Sequence, residues 1–251
     1  MNNSNTIIFF LPYAGGSSLT YLSWQKYLEN YEVYALDYRG HGLRMKEKLC
    51  SSIIEMAEDI SVKINDIILK KNKKFVLFGH SLGGLIAWHV TNILEEKYGI
   101  LPEKLYVSAC SSPLEFHKNI HFRIIGTTEE EQNEFLIKEF LENGNIDKSI
   151  LESKYFREKL LPIIKHDYVL INDYHFNGKI KKIDTPIYTF YAKDDKLVPE
   201  KSILKWQDLT LNNFKMFKFL GNHYYLENEE NKKEICKILN NFDRLQFSNS
   251  L

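Results

Sequence analysis

Cysteine is scarce in this chain of 251 residues: there are three, Cys50, Cys110 and Cys236, widely spaced and odd in number. They make no C-x-x-C pair and no disulfide framework, which suits a reducing compartment. Neither sign of charge is in excess, because 33 Lys and Arg balance 33 Asp and Glu. A nucleic-acid binder ordinarily carries a basic surplus, so no nucleic-acid partner is expected. No apolar run approaches the roughly 20 residues of a membrane span, and no membrane partner is expected either. The N-terminal stretch MNNSNTIIFFLPYAGG has no basic n-region, and its apolar run from Ile7 to Leu11 is too short for a signal peptide. A soluble cytoplasmic protein is the expectation. There is no H-E-x-x-H, no P-loop and no G-x-G-x-x-G after the first apolar run, so neither metal nor cofactor is expected.

What is present can bury a large core: 44% of residues are hydrophobic and 14% aromatic. Short apolar runs predict strands at Thr6–Leu11, Glu32–Leu36, Phe75–Phe78, Lys104–Ala109, Pro186–Ala192 and Phe214–Leu220. Between them lie segments of helical period. The clearest is Ser52–Lys70, where Ile53, Met56, Ala57, Ile60, Ile64, Ile67 and Ile68 fall on one face. Leu85–Lys97 and Lys232–Phe242 follow. Strands alternating with helices imply an α/β fold, a mostly parallel sheet flanked by helices, in one domain spanning 1–251. The alternation breaks from about Leu114 to Lys182, where only helical patterns occur. Thr127 or Thr128 with Glu130 or Glu131 forms a candidate capping box, and Gly144 closes that helix. An all-helical insert there reads as a lid over the C-terminal edge of the sheet.

The stretch FVLFGHSLGG, residues 75–84, contains G-x-S-x-G. Alone, that pattern arises by chance in about one chain in ten of this length. Here an apolar strand runs into it and a helix leaves it, the setting a nucleophile elbow requires. Ser81 is the candidate nucleophile, and the Leu82 N–H at the helix start is a candidate oxyanion donor. In this architecture acid and base follow in the order Ser, acid, His. Of the eight histidines, only His223 in FLGNHYYL lies beyond the last acid loop. His80 is a spacer in the elbow, His89 lies on the next helix, and His41 lies in the DYRGHG loop. His117, His121, His166 and His175 belong to the insert. The acid comes from YTFYAKDDKLVPE: counting forward from the strand favours Asp194, counting back from Leu197-Val198-Pro199 favours Asp195, and Asp195 is preferred. The second oxyanion donor is expected in LPYAGG, where Gly15 and Gly16 open the backbone and the Ala14 N–H is the choice. These groups predict acyl-group hydrolysis or transfer.

Together, FFLPYAGGSS, GHSLGGLIAWHV, LYVSACSSP, LPIIKHDYVLINDY and GNHYYL resemble the type II thioesterases. These are stand-alone editing hydrolases of nonribosomal peptide and polyketide synthesis, within the α/β-hydrolase superfamily. They are similar to the medium-chain acyl thioesterases of fatty-acid synthesis. The likeness runs from about Ile7 to Leu239, and the P-x-A-G-G loop is its most specific element. It implies hydrolysis of acyl or aminoacyl thioesters on the phosphopantetheine arm of an acyl or peptidyl carrier protein, a transient partner. It places the triad on Ser81, Asp195 (or Asp194) and His223, the oxyanion donors on Ala14 and Leu82, and a helical lid before the aspartate strand. Tyr13 stands where the family usually has His, Leu82 replaces a common Met, and Asn222 replaces a common Gly. Tyr224-Tyr225 replaces a frequent Phe pair. A carboxylesterase and a medium-chain acyl-CoA or acyl-carrier thioesterase are the alternatives, and a monomer is expected. Lys70 to Lys74 reads as a solvated turn at the far end of the sheet, and Lys118, Arg123, Lys154, Arg157 and Lys159 of the insert are the candidate docking charges for an acidic carrier.

Overall fold

The computed structural model describes residues 4–116, 125–126, 128–143, 148–176 and 181–247. Six strands form one sheet: β1 (Thr6–Leu11), β2 (Tyr31–Ala35), β3 (Lys74–His80), β4 (Leu105–Ser108), β5 (Ile187–Ala192) and β6 (Phe214–Phe219). Their order is β2-β1-β3-β4-β5-β6, and every pairing is parallel. Period-two alternation divides the core between the two faces. Ile7, Phe9 and Leu11 pack with the helices α1 (Ile53–Lys71) and α2 (Leu82–Ile93) on one side. Ile8 and Phe10 pack on the other side with Trp24 of a 3-10 segment and with Ile235 and Leu239 of α7 (Glu229–Phe247). Both faces are covered, which is why the strands read as unbroken apolar runs rather than alternating ones. This is the α/β-hydrolase architecture.

Every predicted strand is found, each within one or two residues of its expected limits. Helix α1 starts where Ser52 accepts the Glu55 N–H at 3.0 Å, an N-cap that the Ser52 boundary anticipated. Helix α2 begins at Leu82, three residues before the predicted Leu85, because its first turn grows directly out of the elbow. Helix α7 starts at Glu229, also three residues early: Asn228 accepts the Glu230 and Asn231 N–H groups there, a cap that periodicity alone does not reveal.

Among the described residues between β4 and β5 the regular elements are all helical, including α3 (Glu129–Asn143), α4 (Lys148–Glu152) and α5 (Leu161–Asp173). Thr128 and Glu131 form the reciprocal capping box, with Glu131 N–H to Thr128 Oγ1 at 3.2 Å and Thr128 N–H to Glu131 Oε2 at 3.1 Å. Gly144 and Thr127, together with the candidate charges Lys118 and Arg123, lie outside the described residues. The short helix α6 (Glu200–Leu204) follows β5.

Chain order meets function at one point of the sheet. Strand β1 lies between β2 and β3, so the connections leaving β1 and β3 diverge to opposite faces there, opening the crevice in which doubly wound sheets bind ligands. Leu11 stands opposite Gly79 in the register. The loop after β1 and the elbow after β3 are therefore neighbours by topology.

Candidate active site

Ser81 holds φ +54° and ψ −121°, a conformation that L residues rarely occupy, at the joint between β3 and α2. The joint is tight enough to need its glycines. A Cβ at Gly79 would stand 2.1 Å from the Gly83 carbonyl oxygen, and a Cβ at Gly83 would stand 2.1 Å from that of Leu11. The Ser81 N–H donates to Ser108 O at 2.8 Å, and Ser81 O accepts from the Gly84 N–H at 2.9 Å. The strained turn is thus held from both sides and its side chain is aimed out of the sheet edge.

The loop after β6 brings His223 to it. His223 Nε2 lies 3.0 Å from Ser81 Oγ, and Nδ1 lies 2.9 Å from Asp195 Oδ2. A carboxylate only accepts, so Nδ1 carries the proton and Nε2 offers its lone pair to the Ser81 hydroxyl. The second Asp195 oxygen accepts from the N–H groups of Leu197 and Val198, at 2.8 and 3.0 Å. The Asp195 side chain is 1% exposed and that of His223 is 2%. Asp194 is exposed, and its N–H donates to Gly221 O. Of the two candidate aspartates, Asp195 is the one the geometry brings to the histidine. His80 is fully buried, donates or accepts at Ser108 Oγ (2.8 Å), and is pushed well below its ordinary pKa by burial and by the neighbouring His223.

The loop after β1 makes a turn in which the Gly16 N–H donates to Tyr13 O at 2.8 Å. Gly15, at φ +69°, occupies the position where such a turn demands the left-handed region. Among the described residues, no group accepts the N–H of Ala14 or of Leu82; Leu82 directly follows Ser81, and Ala14 lies in the loop after β1, the strand paired with β3. A cavity of about 370 Å³ opens against the turn, lined by Ala14, Gly15, Leu43, Phe140, Phe156 and Ile164. A second cavity, of about 430 Å³, lies between the start of α1 and the end of α5 around Ile53, His89 and Tyr174; neither cavity is lined by Ser81, Asp195 or His223, and the first is the one bordered by the β1 loop. From α3, Phe140 lies with its ring 5.9 Å from that of Tyr224, next to His223. One residue of the insert thus stands beside the residue that follows His223.

One pair in this neighbourhood had no sequence signal joining its two members. His41, read as a loop residue, and Asp167, quoted only as part of LPIIKHDYVLINDY and given no role, meet at 2.8 Å in a site where their side chains are 1% and 0% exposed. The same Asp167 oxygen accepts the Gly15 N–H at 2.7 Å. They are 126 positions apart, and nothing local links one to the other. Lys154, Arg157 and Lys159 are exposed on the insert, while Lys71 and Lys73 pair with Glu32 at the opposite end of the sheet. Among the described residues there is no group of three His, Cys, Asp or Glu side chains able to hold a metal, and no helix long and apolar enough to cross a membrane.

A thioesterase domain model matches residues 6–242. The chain is 30% identical over 226 residues to the medium-chain S-acyl fatty acid synthase thioesterase of Rattus norvegicus, covering 89% of this chain and 82% of that one. It is 23% identical over 233 residues to the gramicidin S biosynthesis protein GrsT of Aneurinibacillus migulanus, covering 92% and 86%. Among solved structures, the type II thioesterase BorB from the borrelidin biosynthetic cluster superposes with a TM-score of 0.76 at 26% identity, over 95% of this chain and 92% of that one.

Proposed function

The chain belongs to the thioesterase domain family, and from that premise we propose that it is an editing thioesterase of the type II kind. On this reading it hydrolyses acyl or aminoacyl thioesters from the phosphopantetheine arm of carrier proteins in nonribosomal peptide or polyketide synthesis. The observation that carries the chemistry is the continuous chain Ser81–His223–Asp195, with contacts of 3.0 and 2.9 Å. The likeness to GrsT and BorB supports the setting.

His223 Nε2 takes the Ser81 proton as Oγ attacks the thioester carbonyl, and Asp195 stabilises the resulting imidazolium. The N–H groups of Ala14 and Leu82 receive the oxyanion, each contributing roughly 2.7–4 kcal/mol to transition-state stabilisation. Collapse breaks the C–S bond, and the phosphopantetheine thiol leaves with the proton from His223. Water, activated by the same imidazole, then releases the acid and restores Ser81. The cavity beside Ala14 receives the acyl group, and α3 to α5 act as the lid. The phosphopantetheine arm is part of the substrate, and the reaction needs no resident cofactor. The exposed Lys154, Arg157 and Lys159 are the docking charges for an acidic carrier.

The experiment is hydrolysis of one acyl chain in three forms: on a carrier protein, on coenzyme A, and as a matched oxoester. A carrier thioester turned over fastest supports the editing role. Equal rates on carrier and coenzyme A favour a medium-chain acyl thioesterase, the reading the rat relative supports. Preference for the oxoester overturns both. Reversing the charges of Lys154, Arg157 and Lys159 should raise KM for the carrier substrate alone.

A further inference from the structure

Helix α5 of the insert is seated directly on the turn that presents Ala14. Asp167 Oδ2 accepts the Gly15 N–H at 2.7 Å, and a Cβ at Gly15 would lie 2.1 Å from Ile164 Cγ1 on the same helix. The carboxylate is wholly buried and is paired with His41 Nε2 at 2.8 Å, while His41 Nδ1 lies 3.0 Å from the Arg39 carbonyl oxygen. A carbonyl only accepts, so Nδ1 donates; facing a carboxylate, Nε2 donates as well, and His41 is an imidazolium with no lone pair for a substrate proton. Removing one partner of such a pair would strand a charge in the interior.

We propose that Asp167 is a positioning residue of the active site: by accepting the Gly15 N–H while held by His41, it fixes the Tyr13–Gly16 turn so that the Ala14 N–H faces the oxygen of the tetrahedral intermediate. The inference rests on the reading of Ala14 as an oxyanion donor. Helix α5 is the insert helix tied to the β1 loop by this contact.

Two variants test this. Asp167→Asn keeps an oxygen for the Gly15 N–H but loses the charge. The double variant His41→Leu with Asp167→Leu replaces the buried ion pair by apolar groups, an exchange proteins often tolerate without loss of stability, while releasing the Gly15 N–H. Each is assayed for thioester hydrolysis, for affinity toward an alkyl trifluoromethyl ketone, and for affinity toward an alkyl-pantetheine thioether that lacks a carbonyl. The ketone reports on the oxyanion site: Ser81 Oγ bonds to its carbon, the serine proton passes to His223, and the carbonyl oxygen becomes the oxyanion. In the double variant kcat and ketone affinity should fall together, by about ten- to a hundredfold, with KM and thioether affinity within about twofold of wild type; Asp167→Asn should lie between. A folded double variant with wild-type kcat, or one that loses kcat with its ketone affinity intact, overturns the proposal. If neither variant folds, amide exchange in the wild type decides, since a clamped Gly15 N–H exchanges as slowly as α5 and an unclamped one as fast as an open loop.

Ala14→Pro separates this inference from the reading beneath it, because Pro fits that turn position and has no N–H. Unchanged ketone affinity in Ala14→Pro would remove Ala14 as a donor. Lost affinity there, with wild-type behaviour in both Asp167 variants, would remove the positioning role alone.

Discussion

Two buried His–Asp pairs flank the reacting centre, and they differ in what the second nitrogen of each imidazole meets. In His223–Asp195 the carboxylate takes Nδ1 and the serine hydroxyl takes Nε2. In His41–Asp167 the carboxylate takes Nε2 and a backbone carbonyl takes Nδ1. The first arrangement leaves a lone pair where a proton must be received. The second uses both nitrogens as donors and leaves a fixed cation beside a fixed anion. On the proposed reading, the same two residue types give a base in one place and a clamp in the other, and only the third partner decides which.

The difference is sharpest in the nucleophile and base themselves. Ser81→Ala and His223→Ala should each lower kcat by about a million-fold, whereas His41→Gln should lower it by no more than about a hundredfold; equal losses at the two histidines would erase the distinction. Among the carboxylates, Asp195→Asn should lower kcat by about ten-thousandfold, because the wrong tautomer is presented to serine. Asp194→Asn, on an exposed side chain, should leave kcat within about twofold. Steady-state rates on one carrier thioester check the whole series.

A smaller effect separates the pairs by pH. Burial lowers the pKa of His41, but its hydrogen bond to Asp167 and that carboxylate's charge outweigh this and hold it above the ordinary 6.5. Burial raises the pKa of Asp167, but the side chains of His166 and His41 and the Gly15 N–H together hold it below the ordinary 3.8. The groups facing the pair are Asp37 from the loop after β2, His166 on α5, with Nδ1 3.8 Å from Asp167 Oδ1, and the Tyr38 ring. A raised histidine contributes its stability in full below pH 6.5 and loses it as pH climbs through the folded-state value. A lowered carboxylate contributes above pH 3.8 and loses it as pH falls through its own folded-state value. The stability of wild type relative to the His41→Leu, Asp167→Leu variant should therefore be greatest between about pH 4 and 6.5 and decline on both sides, in denaturant titrations across that range. The smallest effect lies away from both pairs: Thr128→Ala should cost α3 about 1 kcal/mol of local stability, read by hydrogen exchange, with kcat unchanged.

The same contrast explains what was legible in the sequence. The sheet was, because each buried strand is a short β-rich run and each connecting helix repeats its apolar residues every three or four positions. Ser81 was, because G-x-S-x-G, a strand before it and a helix after it all lie within 20 residues. His223 was, by its order after the last acid loop, and the choice of Asp195 over Asp194 came from counting back from Leu197-Val198-Pro199. In the structure, Leu197 and Val198 supply the N–H groups that hold the Asp195 carboxylate. His41 and Asp167 were not legible. Their meeting depends on how α5 lies across the β1 loop, a tertiary contact between distant segments that neither DYRGHG nor LPIIKHDYVLINDY announces by period or spacing. Helix starts at Leu82 and Glu229 were missed by three residues for a related reason, since an elbow and an asparagine cap set them rather than apolar spacing.

The most direct test is covalent labelling of the full chain with an alkyl fluorophosphonate, followed by peptide mapping. Attack by Ser81 Oγ on phosphorus expels fluoride, and the hydroxyl proton passes to His223. One phosphonyl group on Ser81 is expected in the wild type, none in Ser81→Ala or His223→Ala, and a slowed but complete reaction at the same serine in Asp167→Asn. Label on another residue, or labelling undiminished by loss of Ser81 or His223, would contradict the assignment of nucleophile and base.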